Sequence, residues 1–183
     1  MAAQDSLSTG HFGITSPVLQ ALAAAHDAPN QAAAEQAVFK AVEAALQAAL
    51  GFKLFTILLY DAAMTESIRV FANLAGDYPM GGRKKIVSQR WGDQVVRDGR
   101  PFIGNTAEDL REVFSDHALI ASLGCESVLN IPVRWAGKTI GSLNLLHEAY
   151  WYKDVDLASV AVIAQLVAPA LMTIAVPKDP ALA

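Results

Sequence analysis

The chain has little of what disulfide-stapled, metal-binding or nucleic-acid-binding proteins carry. Its 183 residues hold one cysteine, Cys125, so no disulfide can form within the chain and no cysteine-rich metal site can be built. The four histidines, His11, His26, His117 and His147, form neither a pair at helical spacing nor an HExxH run, and no metal is expected. Charge is sparse at 17% of residues, with 14 Lys and Arg against 18 Asp and Glu. A net charge of −4 leaves no excess of cations to neutralise phosphates, and the basic run Gly82-Arg83-Lys84-Lys85 is too short to supply one. Nucleic acid is therefore not expected as a partner. The start "MAAQDSLSTGHFG" has no basic segment followed by an apolar signal core, which together with the lone thiol predicts a cytoplasmic setting. The one uncharged stretch of bilayer length, residues 158–177, is alanine-rich, is interrupted by Gln165 and Pro169, and has no aromatic or basic belts at both ends. It reads as a buried helix and not as a membrane span.

What is present is a regular alternation of helical and extended patterns. Ser16-Pro17 has the cap-then-proline form of a helix start. Asn30 is placed to cap a longer helix, "QAAAEQAVFKAVEAALQAAL", with Val38, Val42, Leu46 and Leu50 on one stripe and Gly51 at its end. "KLFTILLYD" and "SIRVFANL" read as a β-hairpin turning around Thr65-Glu66, and "GDYPMGGRK" reads as a loop. A short helix at "RWGDQVVRDG", an extended piece at "RPFIGN" and a helix at "AEDLREVFSDHALIASLG" follow. A second hairpin, "SVLNIPVRWAGKTIGSLNLL", precedes a last helix capped by Asp154 and bent or ended by Pro169.

The second hairpin is informative face by face. Ala136-Gly137 is not a strong two-residue turn, so a three-residue loop, Trp135-Ala136-Gly137, with Gly137 left-handed and a bulge is expected. That register sets Asn130 opposite Ser142 and Val128 opposite Asn144. It gathers Asn130, Ser142 and Asn144 on one face, and Leu129, Ile131, Val133, Leu143 and Leu145 on the other. The apolar face suits packing under the terminal helices. The mixed face suits either a ligand cavity or solvent. By the same parity Cys125 falls with Ser127, Leu129 and Ile131 on the core face, and Glu126 with Asn130.

The succession "FTILLYD", "RVFANLAG", "WGDQVVRDGRPFIGNTAED" and "LGCESVLNIPVRWAGKTIGSLNLL" followed by a terminal helix resembles the GAF domain family over roughly residues 30–176. The last block, a Gly before an "SVL.IPV" strand, a Gly turn and "IGSLNL", carries most of the likeness. The resemblance implies an α+β fold of the GAF/PAS-like type: a central antiparallel sheet with terminal helices on one face and a small-molecule pocket on the other. It also divides the chain into a flexible N-terminus (1–15), an N-terminal helix (16–29), the GAF-like domain (30–176) and a C-terminal tail (177–183). "EDLREVFSDHA" does not reproduce the Asn-Lys…Phe…Asp-Glu pattern of the cyclic-nucleotide-binding branch, and Cys125 lacks the neighbouring His of bilin-attaching members. The free methionine-(R)-sulfoxide reductases are small stand-alone members, but their chemistry uses an attacking and a resolving cysteine, and this chain has a single thiol.

The expected function is that of a ligand-responsive sensory module whose ligand and cofactor the sequence does not name. The segments expected to wall the pocket contribute Tyr78, Trp91 and Asn105, and the hairpin contributes Glu126, Asn130, Ser142 and Asn144. Asp116-His117 and His147 end elements that could bring them to the same place, as ligand contacts or, for Asp116 and His117, as an acid–base pair; the bland alternative is surface or supporting histidines. Cys125 reads as buried filler, with a redox enzyme as the competing class. Trp151-Tyr152 reads as a cover on the sheet's end. With no kinase, cyclase or helix-turn-helix segment in the sequence, a signal is expected to leave through association. A ligand-free interaction module is the third alternative. On the last helix, Leu157, Val160, Ile163, Val167, Leu171 and Ile174 form a stripe for the sheet, while Val162, Leu166 and Met172 lie elsewhere and predict a homodimer through the terminal helices.

Overall fold

Asn30 caps the first long helix. In the computed structural model, which describes Ala23, Ala25 and residues 27–174, its side chain accepts a hydrogen bond from the Ala33 N–H and starts helix α1, Gln31–Ala49. The expected segments 1–15 and 177–183, and most of the helix expected at 16–29, lie outside the described residues, as do His11 and His26. Along α1 the residues Phe39, Val42 and Leu46 are buried, each contributing about 1.5–3 kcal/mol by leaving water. Gly51, at φ +74°, ends the helix, and its N–H returns to the carbonyls of Leu46 and Gln47.

Six antiparallel strands form one sheet in the order β3-β2-β1-β6-β5-β4. Their spans are β1 Leu54–Tyr60, β2 Glu66–Ala72, β3 Arg83–Lys85, β4 Phe102–Gly104, β5 Ser127–Trp135 and β6 Lys138–His147. The α+β architecture expected from the sequence is thus what the chain adopts. One strand was not expected: β3 lies in the segment read as a loop and pairs its backbone with Glu66–Ile68. Three consecutive cations carry no apolar alternation to reveal a strand. On a sheet edge such charges are well placed, because they discourage pairing with another chain.

The two faces of the sheet support two separate apolar clusters. On one face Phe55, Ile57, Leu59, Phe71, Leu129, Ile131, Val133, Leu143 and Leu145 pack against α1 and against the terminal helices α5, Leu157–Gln165, and α6, Ala168–Thr173. The last helix is split at Pro169, in the first turn of α6, as expected. Its cap is Asp156, accepting from Ala158 N–H, and not Asp154, because the turn that contains Asp154 ends before the first helical residue, Leu157. On the other face lie Leu54, Tyr60, Val128 and Leu146, covered by a loop from β2, the short helix α2 (Gln89–Trp91) with its π turn Gly92–Arg97, and helices α3 (Ala107–Val113) and α4 (His117–Ser122). The single helix expected across α3 and α4 is broken at Phe114, whose backbone is extended.

The β5–β6 hairpin reaches the expected faces by a different route. Its turn has two residues, Ala136 at φ 47° and Gly137 at φ 79°, with Trp135 paired to Lys138. A bulge at Ile140 follows, between the pairs Arg134–Thr139 and Val133–Gly141. Without that extra residue Asn130 would oppose Leu143 and the faces would mix. With it, Asn130 opposes Asn144 and Val128 opposes Leu146. The expected pairs were displaced by two residues, and because side chains alternate with a period of two, the faces are unchanged. Gln165 fastens the terminal helix at this bulge: its Oε1 accepts from Arg134 N–H at 2.8 Å and its Nε2 donates to Pro132 O at 3.2 Å. The residue that interrupted the apolar run thus satisfies two backbone groups of β5. Among the described residues no helix is long and apolar enough to cross a membrane.

Gly141 is required by contact. A Cβ there would stand 2.2 Å from Leu58 O of the neighbouring strand and 2.8 Å from Leu171 Cδ1. Gly141→Ala is expected to lower the unfolding free energy by about 3 kcal/mol, the upper end of overpacking costs. Gly76→Ala, where a Cβ meets nothing within 4 Å, serves as the neutral control in the same denaturant titration. Equal midpoints for the two variants would contradict the contact.

Candidate functional site

Between the sheet and its cover of loops and short helices lies a cavity of about 80 Å³. Its walls are apolar, with Leu54, Leu58, Val128 and Leu146 from the sheet and Ile86, Val113 and Ile120 from the cover. Polar groups enter from the central strands (Thr56, Asn130 and Asn144) and from the β2–β3 edge (Ser67, Arg69, Lys84 and Lys85). A few directional groups among apolar walls is the composition expected of a small-molecule site.

The floor is a closed hydrogen-bond chain. Trp91 Nε1 donates to Asn130 Oδ1 at 2.9 Å, and Asn130 Nδ2 donates to Asn144 Oδ1 at 2.7 Å. Ser142 Oγ donates to the same Oδ1 at 3.0 Å and accepts from Tyr60 OH at 2.8 Å. Asn144 Nδ2 reaches Thr56 Oγ1 at 3.1 Å. All of these groups are buried. Burial also pushes the Tyr60 phenol well above its ordinary range, so it remains a donor. Trp91 crosses Tyr60 edge-on with ring centroids 6.3 Å apart, so the bonds that order the floor also hold α2 against the sheet.

The rim is built around Asp116, in the break between α3 and α4. Its carboxylate pairs with Lys84 and accepts from Tyr78 OH at 3.2 Å. Burial first, and the Asp116 carboxylate second, push the Tyr78 phenol up, which keeps its proton on. Arg69 lies over the Tyr78 ring with its Cζ 4.4 Å from the centroid, and its Nη1 donates to Pro79 O at 3.0 Å.

The residues singled out from the sequence separate accordingly. Tyr78, Trp91, Asp116, Asn130 and Asn144 line the cavity. Ser142 is fully buried one step behind it, supporting Asn144. Asn105 does not reach it: β4 ends at Gly104, and the Asn105 backbone is held by Asp109 and Tyr150. Glu126 is exposed, because Gly124 at φ +69° turns the chain before β5 begins at Ser127 and the strand parity does not extend back to it. His117 bonds the Phe114 carbonyl through Nδ1 at 3.0 Å at the start of α4. His147 stacks on Trp151 at 3.7 Å, accepts the Glu148 N–H on Nδ1, and is held below its ordinary pKa chiefly by burial. The two histidines are therefore engaged separately, and neither is among the lining residues. Trp151 and Tyr152 donate to the Leu50 and Gly51 carbonyls at the end of α1, so they close the sheet's end as expected.

Arg69, Lys84, Ser67 and Thr56 were missed. Ser67 and Arg69, two apart and flanking Ile68, give the alternation of a strand whose polar face is covered, and that signal was available. Cys125 is buried as expected, but in the cluster on the cavity side of the sheet and not on the helix face, again because Gly124 resets the chain. It is not among the lining residues. Burial pushes its thiol above the ordinary value, with Lys53 opposing weakly. Among the described residues no group of His, Cys, Asp and Glu is placed to hold a metal ion.

A sequence profile described as the GAF domain matches residues 32–172. No curated protein matches the chain significantly. Among solved structures, the GAF domain of a phosphoenolpyruvate-protein phosphotransferase from Coxiella burnetii superposes with TM-score 0.61 at 19% identity, covering 85% of this chain and 90% of that one. The GAF domain of a two-component sensor histidine kinase from Bacillus halodurans gives 0.59 at 15%, covering 74% and 91%. The free methionine-R-sulfoxide reductase of Neisseria meningitidis, in complex with its substrate, gives 0.54 at 13%, covering 85% and 86%. At these identities the likeness is one of fold.

The burial of Cys125 generates a direct expectation. A thiol reagent should modify the native protein incompletely over the time in which the denatured chain reacts fully, since reaction must wait for local opening. Rapid stoichiometric modification of the folded chain would show the thiol to be accessible.

Proposed function

Because the chain belongs to the GAF domain family, we propose that it is a small-molecule-binding regulatory domain and that the cavity over Asn130 and Asn144 is its ligand site. One observation carries this reading. The sheet face opposite the terminal helices is not filled by side chains of the cover, and the space left has an ordered polar floor within apolar walls. A solvated face would not need Asn130, Ser142 and Asn144 buried to within 5% of full exclusion and bonded to one another. Redox turnover at Cys125 is the weaker reading, since the thiol is buried, kept protonated and absent from the lining.

The test is native mass spectrometry of the purified full chain beside Leu58→Trp, which fills the cavity. Retention of a small-molecule mass by the wild type, or its stabilisation by a compound from a metabolite panel, is expected to be lost in the variant. A response that survives filling, or no response to any compound, would remove the ligand-site reading.

We infer further that signals leave through a homodimer packed on the terminal helices. Val162 on α5 and Met172 on α6 are 58% and 51% exposed, while Leu166 is packed against the core. Both side chains point away from the core, where a second copy can meet them in an isologous pair. Sedimentation equilibrium is expected to give a dimer at micromolar concentration that Val162→Lys with Met172→Lys dissociates. A monomeric wild type would defeat this route.

A further inference from the structure

The cavity is cationic in an acidic protein. Three of its lining residues, Arg69, Lys84 and Lys85, are cations and one, Asp116, is an anion, whereas the chain as a whole carries −4. These cations are not equivalent. Lys84 is already paired with Asp116. Lys85 is exposed at the sheet edge. Arg69 is half-buried, and among the described residues it meets no carboxylate. Its guanidinium is held in place by Pro79 O, by the Tyr78 ring and by Gly82, where a Cβ would approach Nη1 to 2.9 Å. Its Nε is buried and has no acceptor. The guanidinium lines the cavity with no carboxylate in ion-pair contact, so its remaining donors suit an anionic acceptor there. Burial pulls the guanidinium below its ordinary pKa, with Tyr78 and Asp116 opposing.

Size and walls narrow the class. At about 80 Å³ the cavity is well below the roughly 300–1,000 Å³ of pockets for drug-sized ligands, which points to a small one. A free phosphate would fill this space with oxygens facing Leu54, Leu58, Val128 and Leu146, and would need several donors where Lys84 and Tyr78 are already committed to Asp116. A carboxylate needs one forked donor and leaves its carbon body for the apolar walls. We propose that the cavity takes a small aliphatic monocarboxylate, its acid group paired to the Arg69 guanidinium and its short chain lying against Leu54, Leu58, Val128 and Leu146. Asn130 and Asn144 beneath then distinguish acids bearing a further polar group. This inference rests on the cavity being a ligand site.

The probes are straight and branched monocarboxylates from propanoate to 4-methylpentanoate, each beside its uncharged primary amide, with sodium phosphate at matched ionic strength. Binding to the full chain is followed by thermal shift and by the emission of Trp91, which is buried while Trp135 and Trp151 are half exposed. At least one acid is expected to bind roughly tenfold to a hundredfold more tightly than its amide, the range for a charge-assisted hydrogen bond. Arg69→Gln is expected to erase that preference while leaving amide binding in place, which a general loss of structure would not do. If Arg69→Gln does not fold, the acid-to-amide ratio of the wild type decides alone. Amides binding as well as acids, or phosphate in preference to every acid, would overturn the carboxylate assignment and leave the ligand site standing. If acids, amides and phosphate all fail and no compound is retained on purification, both readings fall.

Discussion

Asn144 can be buried in the middle of the sheet only because both ends of its amide are matched. Its Oδ1 accepts from Asn130 and Ser142, and its Nδ2 donates to Thr56. An amide buried without partners costs several kcal/mol, and in a low-dielectric interior the cost of leaving any member of such a chain unpaired is greatest. The chain also spans strands: Thr56 is on β1, Asn144 and Ser142 on β6, Asn130 on β5, with Trp91 reaching in from α2. The same bonds therefore fix the register of three adjacent strands and the position of the cover. An apolar replacement at Asn144 would strand Asn130, Ser142 and Thr56 together, a penalty that no packing gain from one side chain would offset.

That polar floor explains why the two faces of one sheet behave differently. Leu129, Ile131, Leu143 and Leu145 alternate with Asn130, Ser142 and Asn144 on the same two strands. The leucine face meets the 19-residue α1 and the terminal helices and forms one buried cluster with them. The amide face meets a cover assembled from loops, a π turn and helices of three, seven and six residues. Short elements with polar attachments cannot present a continuous apolar surface, so space is left over Leu54, Leu58, Val128 and Leu146 even where Trp91 reaches down to Asn130. The cavity is a consequence of that mismatch.

Most of this division was legible in the sequence, for a reason that also limits what else was. The hairpin pairing was expected two residues away from where it forms, yet the faces came out correctly, because a strand's period of two absorbs an even error. Parity failed where the chain is not strand: Gly124 places Cys125 on the cavity side and Glu126 in solvent. The strand Arg83–Lys85 was invisible because its pairing is made by backbone alone. Of the candidate site residues, those attached to the sheet or to aromatic anchors, Asn130, Asn144, Tyr78, Trp91 and Asp116, reached the cavity. Asp116 had been placed only by its element end, as had His117 and His147, and these two and Asn105 did not reach it, since a terminal residue's direction is set by its cap and not by a period. Arg69 was overlooked because a lone arginine in a strand pattern ordinarily marks a solvated face.

The attachments of the cover also determine where the molecule can yield. The sheet is held by its ladders, by the amide chain and by Gln165 at the Ile140 bulge, and each of these would have to break for a strand to move. The cover meets the sheet through side-chain ties that include Trp91 on Asn130, Thr139 on the Val95 carbonyl, Arg134 on the Asp98 carbonyl and Lys84 on Asp116. The last joins two partly exposed side chains, and such ion pairs contribute little individually. Elements with few buried ties open at lower free energy than the body they cover. On the proposed reading, a molecule entering the cavity is expected to displace α4 and the segment around Tyr78 before β5 or β6. For such a change to reach the terminal helices it must pass through the shared strands, where an amide on one side of the backbone and a leucine on the other are one residue apart.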